Sequence, residues 1–234
     1  MTARQVGIIV PFVLIFGVPH LAIAQSSASR VTVRVYDTTG LEPRLQAAAL
    51  AVAGEALASA SAEVAWKPCD ARIPGQDCDG PPRNELVVRI VRSTAEQHGK
   101  QLPLGDAFVD TGSGAAVLAT IYVDRVARVA HVAGMHTATL LGYAIAHELG
   151  HLLLASSTHS IEGLMRAMWR EDELRSPRAA DWRFTDQERA AIRGRLTAVA
   201  SGYPEKPIHR PPHPTVDQRA MDVMATILLR SAEE

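Results

Sequence analysis

Residues 147–151 read His-Glu-Leu-Gly-His, two imidazoles four positions apart with a carboxylate beside the first. On a helix, residues four apart lie one turn above each other on one face, so His147 and His151 can reach one metal ion. Zn²⁺ accepts imidazole nitrogen at about 2.0–2.1 Å, and a catalytic zinc keeps one position open for water. Glu148 has the chemistry of a general base in such a site. It can take a proton from water and pass it to the amine that leaves a cleaved peptide bond. The alternative is a packed helix with ordinary core histidines. Against it stands the cost of burying two histidines and a carboxylate without a metal or hydrogen bonds to satisfy them.

Two neutral imidazoles leave a zinc site incomplete, and a third protein ligand is needed. His159 lies twelve residues after His147, behind the small polar run Ser156-Ser157-Thr158. Such residues stop a helix and let the chain turn back towards the metal. Glu171 is the rival, since a carboxylate can also ligate zinc if a second helix brings it alongside.

These residues need a helix, and residues 137–155 supply one, apolar on both sides of the motif at 139–146 and 152–154. Ahead of it, Val31, Val33 and Val35 alternate with Thr32, Arg34 and Tyr36, the pattern of a half-buried strand. Residues 42–62, rich in Ala and Leu, predict a long helix. Further strands are predicted at 64–66, 86–91 and 115–123, with Gly105, Gly112 and Gly114 marking a loop before the last. Thr185-Asp186-Gln187-Glu188 has the spacing of a capping box, opening a helix that carries Ala190, Ile192 and Leu196. This order of elements predicts an α+β class with an α/β-like character and one mostly continuous sheet.

The chain has 234 residues, 47% hydrophobic and 21% charged, which excludes a disordered protein. Lys+Arg 24 against Asp+Glu 25 leaves no basic excess for binding nucleic acid. Residues 1–24 have the form of a signal peptide: Arg4, an apolar stretch from Val6 to Val18, and Ala22-Ile23-Ala24 before a cut ahead of Gln25. That stretch is short for a membrane span and contains Pro11, so no stable anchor is expected after cleavage; the alternative is an uncleaved signal anchor. Export to a periplasm or the extracellular space makes Cys69 and Cys78, the only two cysteines, a disulfide around a Pro-Gly turn. Residues 202–234 read as a proline-rich linker followed by an amphipathic helix with Val216, Ala220, Val223, Met224, Ile227 and Leu228 on one stripe. Between leader and tail, residues 25–201 form the domain.

The motif and its surroundings resemble the metzincin clan of zinc endopeptidases, most nearly the matrixin-like pattern H-E-x-x-H-x-x-G-x-x-H. His147, Glu148 and His151 match it directly. Gly163-Leu164-Met165 resembles the clan's methionine turn, with Met165 eighteen residues after His147. Residues 184–188 with Ile192 resemble the start of the clan's C-terminal helix. The resemblance covers residues 30–197. It implies a twisted, mostly parallel sheet whose edge strand, residues 115–123, lies over the motif helix and pairs with an extended substrate. It also implies Zn²⁺ as cofactor and a protein or peptide substrate. The chain departs from the pattern at two positions, with Leu154 in place of the glycine and Ser157 in place of the third histidine. A helix extended by about half a turn, carrying the ligand on to His159, reconciles the two. Two other readings stand beside this one. The first is a gluzincin with Glu171 as third ligand; the second is a secreted zinc-binding or interaction module without turnover, for which Glu148 would be unnecessary.

Overall fold

The computed structural model describes residues 29–69, 78, 85–93, 102–110, 115–176 and 178–200. The expected signal peptide and the C-terminal linker and helix lie outside the described residues. Among the described residues there are five strands: β1 (Ser29–Asp37), β2 (Ala62–Cys69), β3 (Leu86–Val91), β4 (Gly105–Asp110) and β5 (Ala115–Tyr122). They form one sheet in the order β2-β1-β3-β5-β4. All neighbours are parallel except β4, which runs antiparallel to β5. The mixed α/β class is as the element order predicts, and the mostly parallel sheet is as the resemblance implies.

The edge strand differs from the expectation. Residues 115–122 do form a strand, but it is enclosed between β3 and β4, and Ala119 and Ile121 are fully buried. The edge beside it is β4, in the stretch read as a glycine loop. Its sequence, Gly-Asp-Ala-Phe-Val-Asp, is poor in strand formers and carries two charges. Those traits suit an edge, where one side of the strand meets solvent, and they conceal it from pattern reading.

Among the described residues five α-helices accompany the sheet: α1 (Pro43–Ala58), α2 (Val123–Ala133), α3 (Thr137–Leu154), α4 (Glu171–Arg175) and α5 (Asp186–Ala200). The first is shorter than predicted. Pro43 occupies its first turn, where a missing N–H costs nothing, and the Glu42 carboxylate caps the amides of Arg44 and Leu45. Ala62, expected to end α1, opens β2. Helix α2 is absent from the sequence expectation because its first residue, Val123, reads as the continuation of β5.

Alternation on the strands builds the core. Val33 and Val35 of β1, Val88 and Ile90 of β3, and Ala119 and Ile121 of β5 are buried with the apolar residues of α1 and α3. Helix α3 packs against α1, α2, α5 and strands β3, β4 and β5. This central position explains why it is apolar nearly all round. Between the core valines of β1, Arg34 is also buried, and its charge is met by Glu85. Its guanidinium and the Tyr36 hydroxyl both donate to the carbonyl of Cys78, at 2.9 and 3.3 Å. Cys78 is joined to Cys69 by the expected disulfide, with a Cα–Cα distance of 5.9 Å.

Candidate metal centre

Helix α3 presents His147, Glu148 and His151, all less than a tenth exposed. The Nδ1 of His147 lies 2.8 Å from the carbonyl of Leu164, and that of His151 lies 2.7 Å from the carbonyl of Ser156. A carbonyl only accepts, so each Nδ1 carries the proton and each Nε2 keeps its lone pair. Those two Nε2 atoms stand 3.2 Å apart, and the Nε2 of His159 lies 3.3 Å from that of His151. One ligand atom from each of the three histidines falls within 4.8 Å of the others. The sequence expectation thus brought together the three residues that the fold brings together.

The chemistry of this donor set fits a cation. The Nε2 atoms of His147 and His151, turned lone pair to lone pair, cannot hydrogen-bond to one another, and repel unless something positive lies between them. Two nitrogens bound to one tetrahedral zinc at about 2.0–2.1 Å stand about 3.3–3.4 Å apart, close to the 3.2 Å between His147 and His151 and the 3.3 Å between His151 and His159.

The turn after α3 decides how His159 arrives. The helix ends at Leu154, and Ala155 adopts the left-handed conformation with φ 46°. The chain therefore turns one residue beyond the glycine position of the matrixin-like pattern, not half a helical turn beyond it. A left-handed alanine costs about 1–2 kcal/mol. The Ser156 amide donates to the carbonyl of His151 at 3.1 Å, so Ser156 both closes the helix and orients the histidine. Ser157 is exposed and outside the cluster. Glu171 opens α4, and its side chain lies outside the described set.

Met165 lies under the motif helix, 1% exposed. A Cβ built at Gly150 would fall 2.5 Å from its sulfur and 2.8 Å from Cε1 of Phe184, so only glycine lets the helix rest on this turn. The preceding residue, Leu164, supplies the carbonyl that holds His147.

Glu148 borders a cavity of about 290 Å³, shared with His147, Leu104, Gly105, Val129 and Trp169. A Cβ at Gly105 would lie 2.7 Å from Cγ of Glu148 and 2.8 Å from the Thr120 carbonyl, so the edge strand presses directly on the carboxylate. In the sequence Gly105 is loop punctuation, and its spatial role has no local signal. The aromatic wall was missed likewise. Trp169 meets the His147 ring edge-on at 5.7 Å, Trp182 meets Trp169 at 5.0 Å, and Tyr143 stacks on Trp182 at 4.3 Å.

Burial pushes the Glu148 carboxyl up to about 8, with the negative charge of Asp106 adding to the effect. Burial pushes His147 down to about 4, against the opposing hydrogen bond to Leu164. His151 is lowered too, again by burial first. These shifts predict how the stability of the metal-free chain varies with pH. A carboxyl raised above its unfolded value loses stability as pH rises through the folded pKa. A histidine lowered below its unfolded value loses stability as pH falls through the folded pKa. The contributions oppose each other below pH 6.5, and above it, of these three groups, only Glu148 acts. Between pH 6.5 and 8 the metal-free chain should lose about 2 kcal/mol, at 1.36 kcal/mol per pH unit. Denaturant unfolding of chelator-stripped protein measures this, and Glu148→Gln should abolish the loss. A metal-free chain equally stable at pH 6.5 and 8 contradicts the assignment.

No protein-family model matches the chain, and no curated protein matches it in sequence. Solved structures do match. Archaemetzincin from Methanopyrus kandleri superposes with a TM-score of 0.50 at 14% identity, covering 76% of this chain and 99% of that one. A zinc-dependent peptidase from Methanocorpusculum labreanum gives a TM-score of 0.46 at 13% identity, covering 68% of this chain and 99% of that one. The five-stranded, mostly parallel sheet with its helices is thus the mixed α/β fold of the archaemetzincin structure.

Proposed function

We propose that this chain is a zinc-dependent peptidase, with His147, His151 and His159 as metal ligands and Glu148 as general base. The observation that carries the reading is the gathering of three histidine ring nitrogens within 4.8 Å of one another, with the Nε2 of His151 3.2 and 3.3 Å from those of His147 and His159. Support comes from the shared fold, since the archaemetzincin structure bears the name of a metzincin. Within that clan we read a matrixin-like order, in which Met165 keeps its spacing while the third histidine is displaced by two positions.

Bound by these histidines, zinc supplies a Lewis acid that acidifies water and polarises a peptide carbonyl. The protein supplies the rest. Leu164 and Ser156 fix the two helix imidazoles in the required tautomer. Glu148 takes a proton from the attacking water. As the carbon–nitrogen bond breaks, it returns that proton to the departing amine. The largely apolar cavity receives a substrate side chain beside Glu148, and the outer edge of β4 offers backbone groups to an extended peptide. The substrate is a protein or peptide.

We also read the chain as exported, with residues 1–24 removed and the Cys69–Cys78 disulfide formed in the oxidising compartment. One experiment addresses the whole reading. Exported protein should have the intact mass of a chain lacking residues 1–24 and two hydrogens. It should carry about one zinc per chain, as one three-histidine site requires, and hydrolyse an unfolded protein. Chelation should stop hydrolysis and added zinc restore it. Full zinc without hydrolysis would favour the non-catalytic binding module instead.

A further inference from the structure

Glu188 is a carboxylate to which the hydrolytic reading assigns no task. It lies on α5, is 8% exposed, and pairs with no Lys or Arg among the described residues. One oxygen accepts the Thr185 amide at 2.7 Å, completing the predicted capping box, in which the Thr185 hydroxyl accepts the Glu188 amide at 3.3 Å. The other oxygen accepts the hydroxyl of Ser160. A capping box is complete with the first oxygen alone. It accounts neither for the second bond nor for the burial of a full charge without a cation, which is costly.

Ser160 directly follows His159, and its amide donates to the Met165 carbonyl at 2.9 Å. The His159 ring is exposed and, among the described residues, has no carbonyl partner of the kind that holds His147 and His151. Its approach to the cluster must therefore be set through the backbone, and Ser160 is where that backbone is fastened on two sides. Glu188 thus lies one hydrogen bond from the residue that follows His159.

We propose that Glu188 is a positioning residue of the metal centre, holding His159 in place through Ser160 and offsetting with its own charge that of a bound dication. This rests on the peptidase reading only in requiring a dication at the three histidines. The test is zinc affinity, measured by chelator competition on the full mature chain, together with the thermal midpoint. Glu188→Gln and Ser160→Ala should each weaken zinc binding about 10–100-fold, the usual cost of losing a supporting partner of a metal ligand. Ser160→Ala removes the bond and keeps the charge, whereas Glu188→Gln removes the charge and keeps an oxygen that can still accept, so the double variant should be weaker than either single one. Thr185→Ala should lower the thermal midpoint by loss of its half of the cap and leave zinc affinity unchanged. If Glu188→Gln instead behaves like Thr185→Ala, Glu188 is a helix cap only and the proposal is overturned. If His159→Ala binds zinc as tightly as the unaltered chain, the metal site itself has been misread, and that result is independent of Glu188.

Discussion

Glu148→Gln should lower hydrolysis by at least ~10²–10⁴-fold, the range that a positioned general base contributes, while zinc stays near one per chain. The reason lies in where Glu148 stands. It adjoins His147 in sequence but is not part of the histidine cluster, and it borders the cavity that would receive a substrate side chain. Glutamine keeps the length and shape that fit against Gly105, where an added Cβ would come within 2.9 Å of the carboxylate oxygen. It loses only the capacity to take up a proton. Stability should move the other way. A buried carboxyl with its pKa pushed up to about 8 is a cost to the metal-free fold above neutral pH, and the neutral amide removes that cost. An inactive variant that keeps its zinc and gains stability at pH 8 cannot owe its inactivity to misfolding. Substantial residual turnover with full zinc would contradict the role of Glu148.

His159→Ala should release zinc at concentrations where the unaltered chain stays loaded, a larger loss than the roughly 10–100-fold expected from supporting residues. The other two histidines remain in place, since Leu164 and Ser156 hold them independently of His159. A two-histidine remnant has too few ligands for a stable zinc site. Ser157→Ala should bind zinc normally. Its hydroxyl stays protonated near neutral pH, and its side chain is exposed outside the cluster. Glu171→Ala should also bind normally. If Glu171→Ala loses the metal while His159→Ala keeps it, the gluzincin reading wins and the metzincin-like one is dropped. Equilibrium dialysis with metal analysis on the three variants decides between them.

Much of this site was legible because its determinants are local. One helical turn separates His147 from His151 in any α-helix, so their shared face follows from spacing alone. The apolar run around them marked a buried helix, and α3 (Thr137–Leu154) is that helix. The cysteine pair, the capping box at Thr185 and the alternation of β1 are likewise written within a few residues. His159 needed only a short loop, whose closure costs little. What tertiary structure alone decided is non-local. Strand order in a largely parallel sheet is set by crossovers, so residues 115–122 give no sign that a short Gly- and Asp-bearing strand, β4, covers their outer side. The pressure of Gly105 on Glu148 joins residues 43 positions apart, and the bond from Ser160 to Glu188 joins residues 28 apart. Local sequence determined which side chains could do the chemistry. Burial, the Glu148 carboxyl near 8 and the anchoring of the third histidine arise only when α3 is enclosed by the sheet, α1 and α5, because desolvation and long-range hydrogen bonds exist only in the packed chain.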